Sequence, residues 1–348
     1  MSRALVVTGY TRSDPTIAGL QAADYLNLIG YNVELFAVGE MSKVSSRWDK
    51  LASKGPHKSF IQALKKGFDV IIWTVPPDED SLLRGRKATS RNYLLASWDQ
   101  MPNALRDICE GFDAILCPSW AAYEHFKRNW NTKKAYYIPW DVSATCPLID
   151  ERERRPRDIT KLFWPLYGWQ AYRHEPEIYP AIDKFLKENH TVAITVGTSV
   201  NSKLKKRTAL HKLSSTYPSR FQIFQHYDRE EHTVELAKHD LCMWPTLFES
   251  YGFEGLTSLC AGVPIVAFDN KPYSEFLRNG GNSVVVKSEL GQLTNGIPFV
   301  KPDYEKYFQQ LVKLIEKPRD LMALRSCTHV DLDKRAALHH AGWERALK

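Results

Sequence analysis

The feature that most constrains the fold is an alternation of short apolar runs with amphipathic stretches, which occurs twice along the 348 residues. Continuous apolar runs divided by helical patterns are typical of parallel strands that helices cover on both faces. In the first half these runs are ALVVT, NVELFAV, DVIIWTV, NYLLAS, DAILCP and KAYYIP. In the second half they are ITKLFWPL, TVAITVG, RFQIFQ, DLCMWPT, PIVAF and NSVVV. The pattern therefore predicts an α/β protein with two doubly wound, Rossmann-like domains.

The alternation is interrupted at 146–158, where CPLIDERERRPRD is charged, contains two prolines and has no periodicity. Such a stretch is typical of a linker, so we predict an N-terminal domain over 1–148 and a C-terminal domain over 158–329. In open parallel sheets, ligands bind beyond the carboxyl ends of the strands. A cleft between two such domains is therefore the predicted active site.

Composition limits the function classes. A formal net charge of +7 suits an anionic partner such as a nucleotide or a nucleic acid. The six cysteines include no Cys-x2-Cys pair, which argues against a zinc site and favours a reduced, cytoplasmic protein. No apolar run approaches the roughly 20 residues of a membrane span, and the N-terminus MSRALVVTGYTRSD lacks the pattern of a signal peptide.

The segment MWPTLFESYGFEGLTSLCAGVPIVAFDN, 243–270, has the pattern of a buried strand, a glycine-containing turn, a helix and a further strand. At such a turn, the backbone N–H groups and the helix dipole favour a bound anion. Glu249, just before the turn, could accept hydrogen bonds from sugar hydroxyls. The alternative is an ordinary joint in which Glu249 caps the helix. The candidate N–H donors are those of Ser250, Tyr251, Gly252 and Phe253.

The part LFESYGFEGLTSLCAGVPIVA resembles the donor-site signature of retaining GT-B glycosyltransferases of the Glu-x7-Glu group, which are similar to glycosyltransferase family 4. Upstream, DAILCPSWAAYEHFKRNW and KAYYIPWDVS resemble the last strand–helix–strand unit of that family's N-terminal lobe. YSEFLRNGGNSVVV resembles the stretch after the signature, and GWERAL resembles the helix that crosses back to the N-terminal lobe. The resemblance implies a GT-B fold whose lobes face each other across a cleft, with 330–348 completing the first lobe.

In that family the first glutamate contacts the transferred sugar, and the amides after it help to hold the sugar and the phosphate. The resemblance thus implies a catalytic Glu249. The family's second glutamate, which holds the nucleotide ribose, is replaced here by Thr257. A threonine hydroxyl cannot accept two hydrogen bonds as a carboxylate does, and Glu254 is the nearest carboxylate that could compensate. Arg173 and His174 are the nearest counterparts of the family's phosphate-binding cations, or else ordinary surface residues.

The first domain supplies further candidates. By the resemblance, the turn with Gly9 and Arg12 approaches the donor sugar and phosphate; otherwise it is a simple connecting turn, since it lacks a dinucleotide fingerprint. Asp99 directly follows a buried strand, and we expect it to act as a general base or to orient the acceptor or sugar, rather than to cap the next helix. The acidic run 78–80 is interpreted as a loop and helix cap, with a metal site as the minor alternative.

Together these features predict transfer of a hexose from a nucleotide-diphosphate sugar, favouring a UDP-sugar, to a hydroxyl acceptor, with no metal or other cofactor. The acceptor is a saccharide, a lipid-linked glycan or, as in phage-type DNA glycosyltransferases, a hydroxymethylated DNA base. The DNA alternative is motivated by cationic stretches at 84–87, 152–157 and 203–207, which could contact phosphates. A non-catalytic GT-B partner or binding subunit is a further alternative, motivated by Thr257.

Overall fold

A computed structural model describes residues 2–9, 14–38, 52–54, 57–88, 91–95, 106–130, 132–141, 160–166, 177–199, 208–226, 229–249, 251–271, 273–292, 298–328 and 332–348. The chain forms two compact units. The first unit combines Met1–Asp141 with Lys334–Lys348, and the second comprises Val142–Asp333. The predicted linker at 146–158 lies outside the described residues.

The first unit is built on seven strands. They are β1 (Arg3–Thr8), β2 (Asn32–Ala37), β3 (Ala52–Lys54), β4 (Val70–Trp73), β5 (Asn92–Leu95), β6 (Ala114–Cys117) and β7 (Ala135–Tyr137). They form one parallel sheet in the order β3-β2-β1-β4-β5-β6-β7. The helices between them are α1 (Asp14–Leu28), α2 (His57–Leu64), α3 (Glu79–Ala88), α4 (Arg106–Glu110) and α5 (Trp120–Asn129). From β1 the sheet extends in one direction through β2 and β3 and in the other through β4 to β7, so its switch point lies between β1 and β4.

The second unit repeats the plan. Its strands are β8 (Thr160–Pro165), β9 (Val192–Ser199), β10 (Phe221–His226), β11 (Leu241–Trp244), β12 (Ile265–Phe268) and β13 (Ser283–Val286), which form a parallel sheet in the order β10-β9-β8-β11-β12-β13. An antiparallel hairpin follows, made of β14 (Leu290–Gln292) and β15 (Pro298–Val300). The helices are α6 (Ile178–Glu188), α7 (Thr208–Thr216), α8 (Arg229–Ala237), α9 (Phe253–Cys260), α10 (Tyr304–Ile315) and α11 (Pro318–Ser326).

The centre of the second sheet is buried on both faces, which explains why β11 and β12 are apolar throughout. On β11 the side chain of Met243 packs into one hydrophobic cluster, whereas its neighbours Cys242 and Trp244 pack into the other. The same alternation separates Phe163 from Trp164 on β8. The sequence-based prediction of two helix-covered parallel sheets is confirmed.

The last helix, α12 (Leu332–Leu347), packs on the first unit, as the resemblance implied. Arg335 Nε donates to the carbonyl oxygen of Trp140 at 3.0 Å, and His339 Nδ1 lies 2.7 Å from that of Pro139. A Cβ atom at Gly342 would lie 2.5 Å from the Tyr137 carbonyl oxygen, so glycine permits this close approach. The helix therefore covers the chain at and just beyond the carboxyl end of β7.

Some elements were not predicted. The edge strand β3 has the sequence ASK, which contains no apolar run, and the β14–β15 hairpin lacks alternating apolar residues. Among the described residues, no helix has the length and hydropathy needed to cross a membrane. The five cysteines in the described part of the chain carry free thiols.

Candidate functional site

The candidate site lies at the carboxyl edge of the second sheet, between β8 and β11. β8 and β11 are neighbours, with Leu162 beside Leu241 and Phe163 beside Cys242, and the sheet grows from them in opposite directions. At such a switch point the two following loops diverge and leave a crevice. One of these loops, residues 245–252, leads from β11 to α9 and is called the β11–α9 turn. The other contains Arg173 and His174, which lie outside the described residues.

Glu249 lies within the β11–α9 turn and is 2% exposed. Its Oε1 atom accepts a hydrogen bond from the backbone N–H of Tyr251 at 3.4 Å. Burial of a carboxylate requires polar partners, because desolvation of a charged group is costly. The side chain therefore belongs to the turn itself rather than to the solvated surface.

The helix after the turn begins in a geometry suited to an anion. Its N-cap residue is Gly252, which has a left-handed φ of 71° and offers no side chain to cap the helix. Glu249 is therefore not the N-cap residue of this helix. The first bond of the helix runs from the Leu256 N–H to the Gly252 carbonyl at 3.0 Å. The positive end of the helix dipole lies at Phe253, four residues after Glu249.

The two aromatic side chains at the end of the turn are buried in the second unit. Tyr251 is 1% exposed and Phe253 is 2% exposed, and their rings stack with centroids 5.6 Å apart. Because both side chains are buried, these residues can offer a ligand their backbone but not their rings. Ser250, the remaining predicted donor, lies outside the described residues.

Tyr307 on α10 ties together the strands on either side of the turn. Its hydroxyl accepts from the Trp244 backbone N–H at 3.0 Å and donates to the Val266 carbonyl at 2.7 Å. Burial raises the pKa of Tyr307 well above its ordinary value, so the hydroxyl keeps the proton that it donates. One side chain thus links the carboxyl end of β11 to β12.

A second set of hydrogen bonds fixes the first half of the turn. The carbonyl of Leu247 accepts from Asn270 Nδ2 and from the Val300 backbone N–H, both at 2.7 Å. The Tyr273 hydroxyl contacts both Trp244 Nε1 and Thr246 Oγ1. Tyr307, Asn270 and Tyr273 were missed by sequence reasoning, because each acts on a residue at least 23 positions away.

No protein-family model and no curated protein matches the sequence. A glycosyltransferase from Rickettsia africae superposes with a TM-score of 0.71 at 11% identity, covering 99% of this chain and 97% of that one. HepE from Anabaena, solved with UDP-glucose, gives a TM-score of 0.71 at 11% identity and covers 99% of both chains.

Sucrose-phosphate synthase from Thermosynechococcus elongatus gives a TM-score of 0.66 at 11% identity, covering 99% of this chain and 96% of that one. The chain has the GT-B fold. The predicted fold class is thereby confirmed, whereas membership in the Glu-x7-Glu group stays a prediction.

Thr257, which stands where the Glu-x7-Glu group has its second glutamate, is buried in the second unit. Thr257 lies in α9 and is 0% exposed. Glu254, the carboxylate suggested as a substitute, is 6% exposed, and its Oε2 lies 2.9 Å from Nε2 of His232 on α8. The imidazole is itself 0% exposed. The Glu254 side chain therefore links α9 to α8, a role that the sequence did not indicate.

In the first unit of the GT-B fold, Gly9 directly follows β1 at the switch point between β1 and β4. A Cβ atom there would meet Val75 Cγ1 at 3.7 Å, which is ordinary contact, so packing alone does not require glycine. Gly19 is different, because its Cβ would lie 2.8 Å from Thr8 Oγ1. This glycine, which the sequence analysis overlooked, lets α1 approach the end of β1. Arg12 and Asp99 lie outside the described residues.

The acidic run at 78–80 has local partners. Asp78 caps α3, as predicted: its Oδ1 accepts from the Ser81 backbone N–H at 2.7 Å and its Oδ2 from Ser81 Oγ at 2.8 Å. Asp80 pairs with Arg84 at 2.9 Å. Within the described ranges, no group of three or more His, Cys, Asp or Glu side chains is arranged to hold a metal ion.

Proposed function

We propose that this protein is a glycosyltransferase that moves a hexose from a UDP-sugar to a hydroxyl acceptor. In this proposal the second unit binds the donor and the first unit binds the acceptor. One observation supports the function most strongly: the buried carboxylate of Glu249 immediately precedes a helix whose N-cap is Gly252, at the switch point of a parallel sheet. HepE, a structural relative, has been solved with UDP and with UDP-glucose.

The chemistry follows from what this turn can offer. The Glu249 carboxylate, which the Tyr251 N–H orients, accepts hydrogen bonds from hydroxyls of the transferred sugar. The amides of Gly252 and Phe253 point partial positive charge at the phosphate. Negative charge grows on the leaving diphosphate during transfer, so fixed N–H groups nearby lower the barrier. Because hydrogen bonds from Tyr307 and Asn270 already hold β11 and the turn in place, little reorganisation is needed when the donor binds.

The remaining assignments extend the proposal beyond the described residues. We assign neutralisation of the diphosphate to Arg173 and His174, which come after β8 in the sequence. We also assign a donor-binding role to Arg12, and to Asp99 the orientation or deprotonation of the acceptor hydroxyl. With these cations and amides on the phosphates, the reaction proceeds without a metal ion.

A donor screen tests this function. Purified protein is incubated with UDP-glucose, UDP-galactose, UDP-N-acetylglucosamine, GDP-mannose and ADP-glucose, and release of the free nucleotide is measured with and without EDTA. Nucleotide release from at least one UDP-sugar that persists in EDTA is the expected result. Release only with added divalent metal would contradict the metal-free mechanism, and no release together with no donor binding would contradict the function.

The Glu249→Gln variant tests the site. It keeps the size of the side chain but removes its charge, and we expect nucleotide release to fall by about 100-fold or more. The matched control is Glu289→Gln, which removes an exposed carboxylate from the same unit. Equal activity of both variants and the parent protein would remove Glu249 from the site.

An acceptor screen distinguishes the saccharide, lipid-linked glycan and DNA alternatives. The screen is repeated with oligosaccharides, a polyprenyl-linked glycan and DNA containing hydroxymethylcytosine, and product is detected by mass spectrometry. Stimulation by one class identifies the acceptor. Donor binding without transfer or hydrolysis in any arm would instead support a non-catalytic binding subunit.

A further inference from the structure

An exposed aromatic side chain stands at the carboxyl edge of the first sheet. Trp120 is the first residue of α5, which follows β6, and it is 48% exposed. It is the one aromatic residue among the exposed large hydrophobic side chains in the described part of the chain. An indole left half in water at the carboxyl edge of a Rossmann-like sheet, where ligands bind, offers a face on which a ligand can stack.

The orientation of Trp120 is fixed by its neighbours. Its ring lies 4.9 Å from that of Tyr123 at an angle of 35°, and 5.4 Å from that of Tyr137 at 88°. The helix start is also held, because the buried Ser119 side chain accepts from the Ala122 N–H at 3.1 Å. We call Trp120, Tyr123 and Tyr137 the aromatic platform. A platform ordered before binding loses little conformational entropy when a ligand stacks on it.

Polar groups adjoin the platform. Lys127 Nζ donates to the Tyr123 hydroxyl at 2.9 Å and lies 5.0 Å from the centre of that ring. The surface thus combines an apolar indole with hydrogen-bonding groups at one side. A pyranose ring has the complementary character, because its C–H groups form an apolar face while its hydroxyls project around the rim.

Charge argues for a sugar rather than a nucleic-acid strand. Helix α3 runs from β4 to β5, so the cations at its C-terminal end, Arg86 and Lys87, lie toward the amino edge of the sheet. Trp120 lies at the opposite, carboxyl edge. On α5 itself, Arg128 pairs with Glu124 at 2.5 Å. The platform therefore lacks the row of phosphate-binding cations that strand binding uses, within the described residues.

We propose that the aromatic platform binds a pyranose ring of a saccharide acceptor, which stacks on Trp120. This inference rests on the proposed transferase function and names the acceptor class. It assigns the stacking contact to Trp120 and hydrogen bonds with sugar hydroxyls to the Tyr123–Lys127 pair.

Fluorine NMR tests the platform directly. The protein is labelled with 5-fluorotryptophan, and the Trp120→Phe variant identifies the Trp120 signal among those of the 10 tryptophans. Maltotriose, cellotriose, chitotriose and a single-stranded oligonucleotide with hydroxymethylcytosine are titrated separately. The expected result is a saturable shift of the Trp120 signal with at least one saccharide. A Trp120 signal that no saccharide moves, or that only the oligonucleotide moves, overturns the proposal.

Kinetics separate this proposal from the donor site. With a saccharide acceptor, Trp120→Ala should raise the acceptor KM about tenfold, and Trp120→Phe should raise it less, because stacking area is partly kept. Binding of UDP, measured without acceptor, should be equal in both variants and the parent protein, because Trp120 belongs to the first unit. An unchanged KM in Trp120→Ala overturns the platform even if UDP binding is intact, whereas loss of all nucleotide release in the parent protein contradicts the proposed function instead.

Discussion

The two units hold the carboxyl edges of their sheets by different means. In the second unit, the β11–α9 turn is fixed by buried hydrogen bonds from Tyr307, Tyr273 and Asn270, which all belong to the same unit. In the first unit, the chain after β7 is covered by α12, whose Arg335 bonds to Trp140 across 195 positions of sequence. One edge is held locally, and the other depends on the far end of the chain.

The difference also extends to exposure. All described residues from 241 to 249 and from 251 to 268 are buried, whereas the first unit presents the half-exposed Trp120. A buried, hydrogen-bonded turn suits a ligand whose charge must be met by fixed groups. An open aromatic surface suits a ligand that is recognised mainly by stacking. The comparison thus agrees with a second unit that binds the donor and a first unit that binds the acceptor.

The largest effect on stability is expected from His232. The His232→Ala variant leaves the buried Glu254 carboxylate without its imidazole partner, so we expect the free energy of unfolding to fall by about 3 kcal/mol. Because Glu254 lies in the first turn of α9, donor binding should weaken as well. Denaturant unfolding and donor titration measure the two effects.

A double-mutant cycle provides the control for His232. Glu254→Ala and the double variant are measured beside His232→Ala, and the coupling free energy is calculated. If the pair fixes α9, the double variant should cost less than the sum of the two single variants. Strict additivity would show that the contact between α8 and α9 contributes nothing to the turn.

A smaller effect is expected from the hydroxyl of Tyr307. Tyr307→Phe keeps the ring in the core but leaves the buried Trp244 N–H and the Val266 carbonyl without this partner, at a cost of about 1–3 kcal/mol. Tyr136→Phe, at a partly buried position in the first unit, serves as the matched control. Comparable stability of the two variants would mean that the second unit does not rely on this bridge.

The sequence predicted what depends on local pattern. The apolar run LCMW predicted β11, because a buried strand consists of consecutive apolar residues. Gly252 predicted the turn before α9, because glycine readily adopts the left-handed backbone found there. Contacts between distant residues left no such signature. Tyr307 is 63 positions from Trp244, and His232 is 22 positions from Glu254, so only folding brings these partners together.

The smallest effect concerns pH and the docking of α12. Burial lowers the pKa of His339, although the hydrogen bond with the Pro139 carbonyl and the charge of Asp141 partly oppose this. In the unfolded chain the pKa is about 6.5, so the unfolded state binds more protons as the solution becomes acidic. The stability contributed by neutral His339 is therefore complete above about pH 6.5 and decreases as the pH falls toward the lower folded pKa, by at most about 1.4 kcal/mol per pH unit.

Hydrogen exchange localises this effect. After correction for intrinsic rates, amides of 334–348 should lose protection between about pH 7.5 and about pH 5.5, and the His339→Gln variant should lose less. His239 in the second unit is the matched control, since burial lowers its pKa too. His239→Gln should leave the acid response of α12 unchanged, because that histidine belongs to the locally held unit. If both variants reduced the pH dependence of this protection equally, the attachment of α12 to the first unit would not depend on His339 in particular.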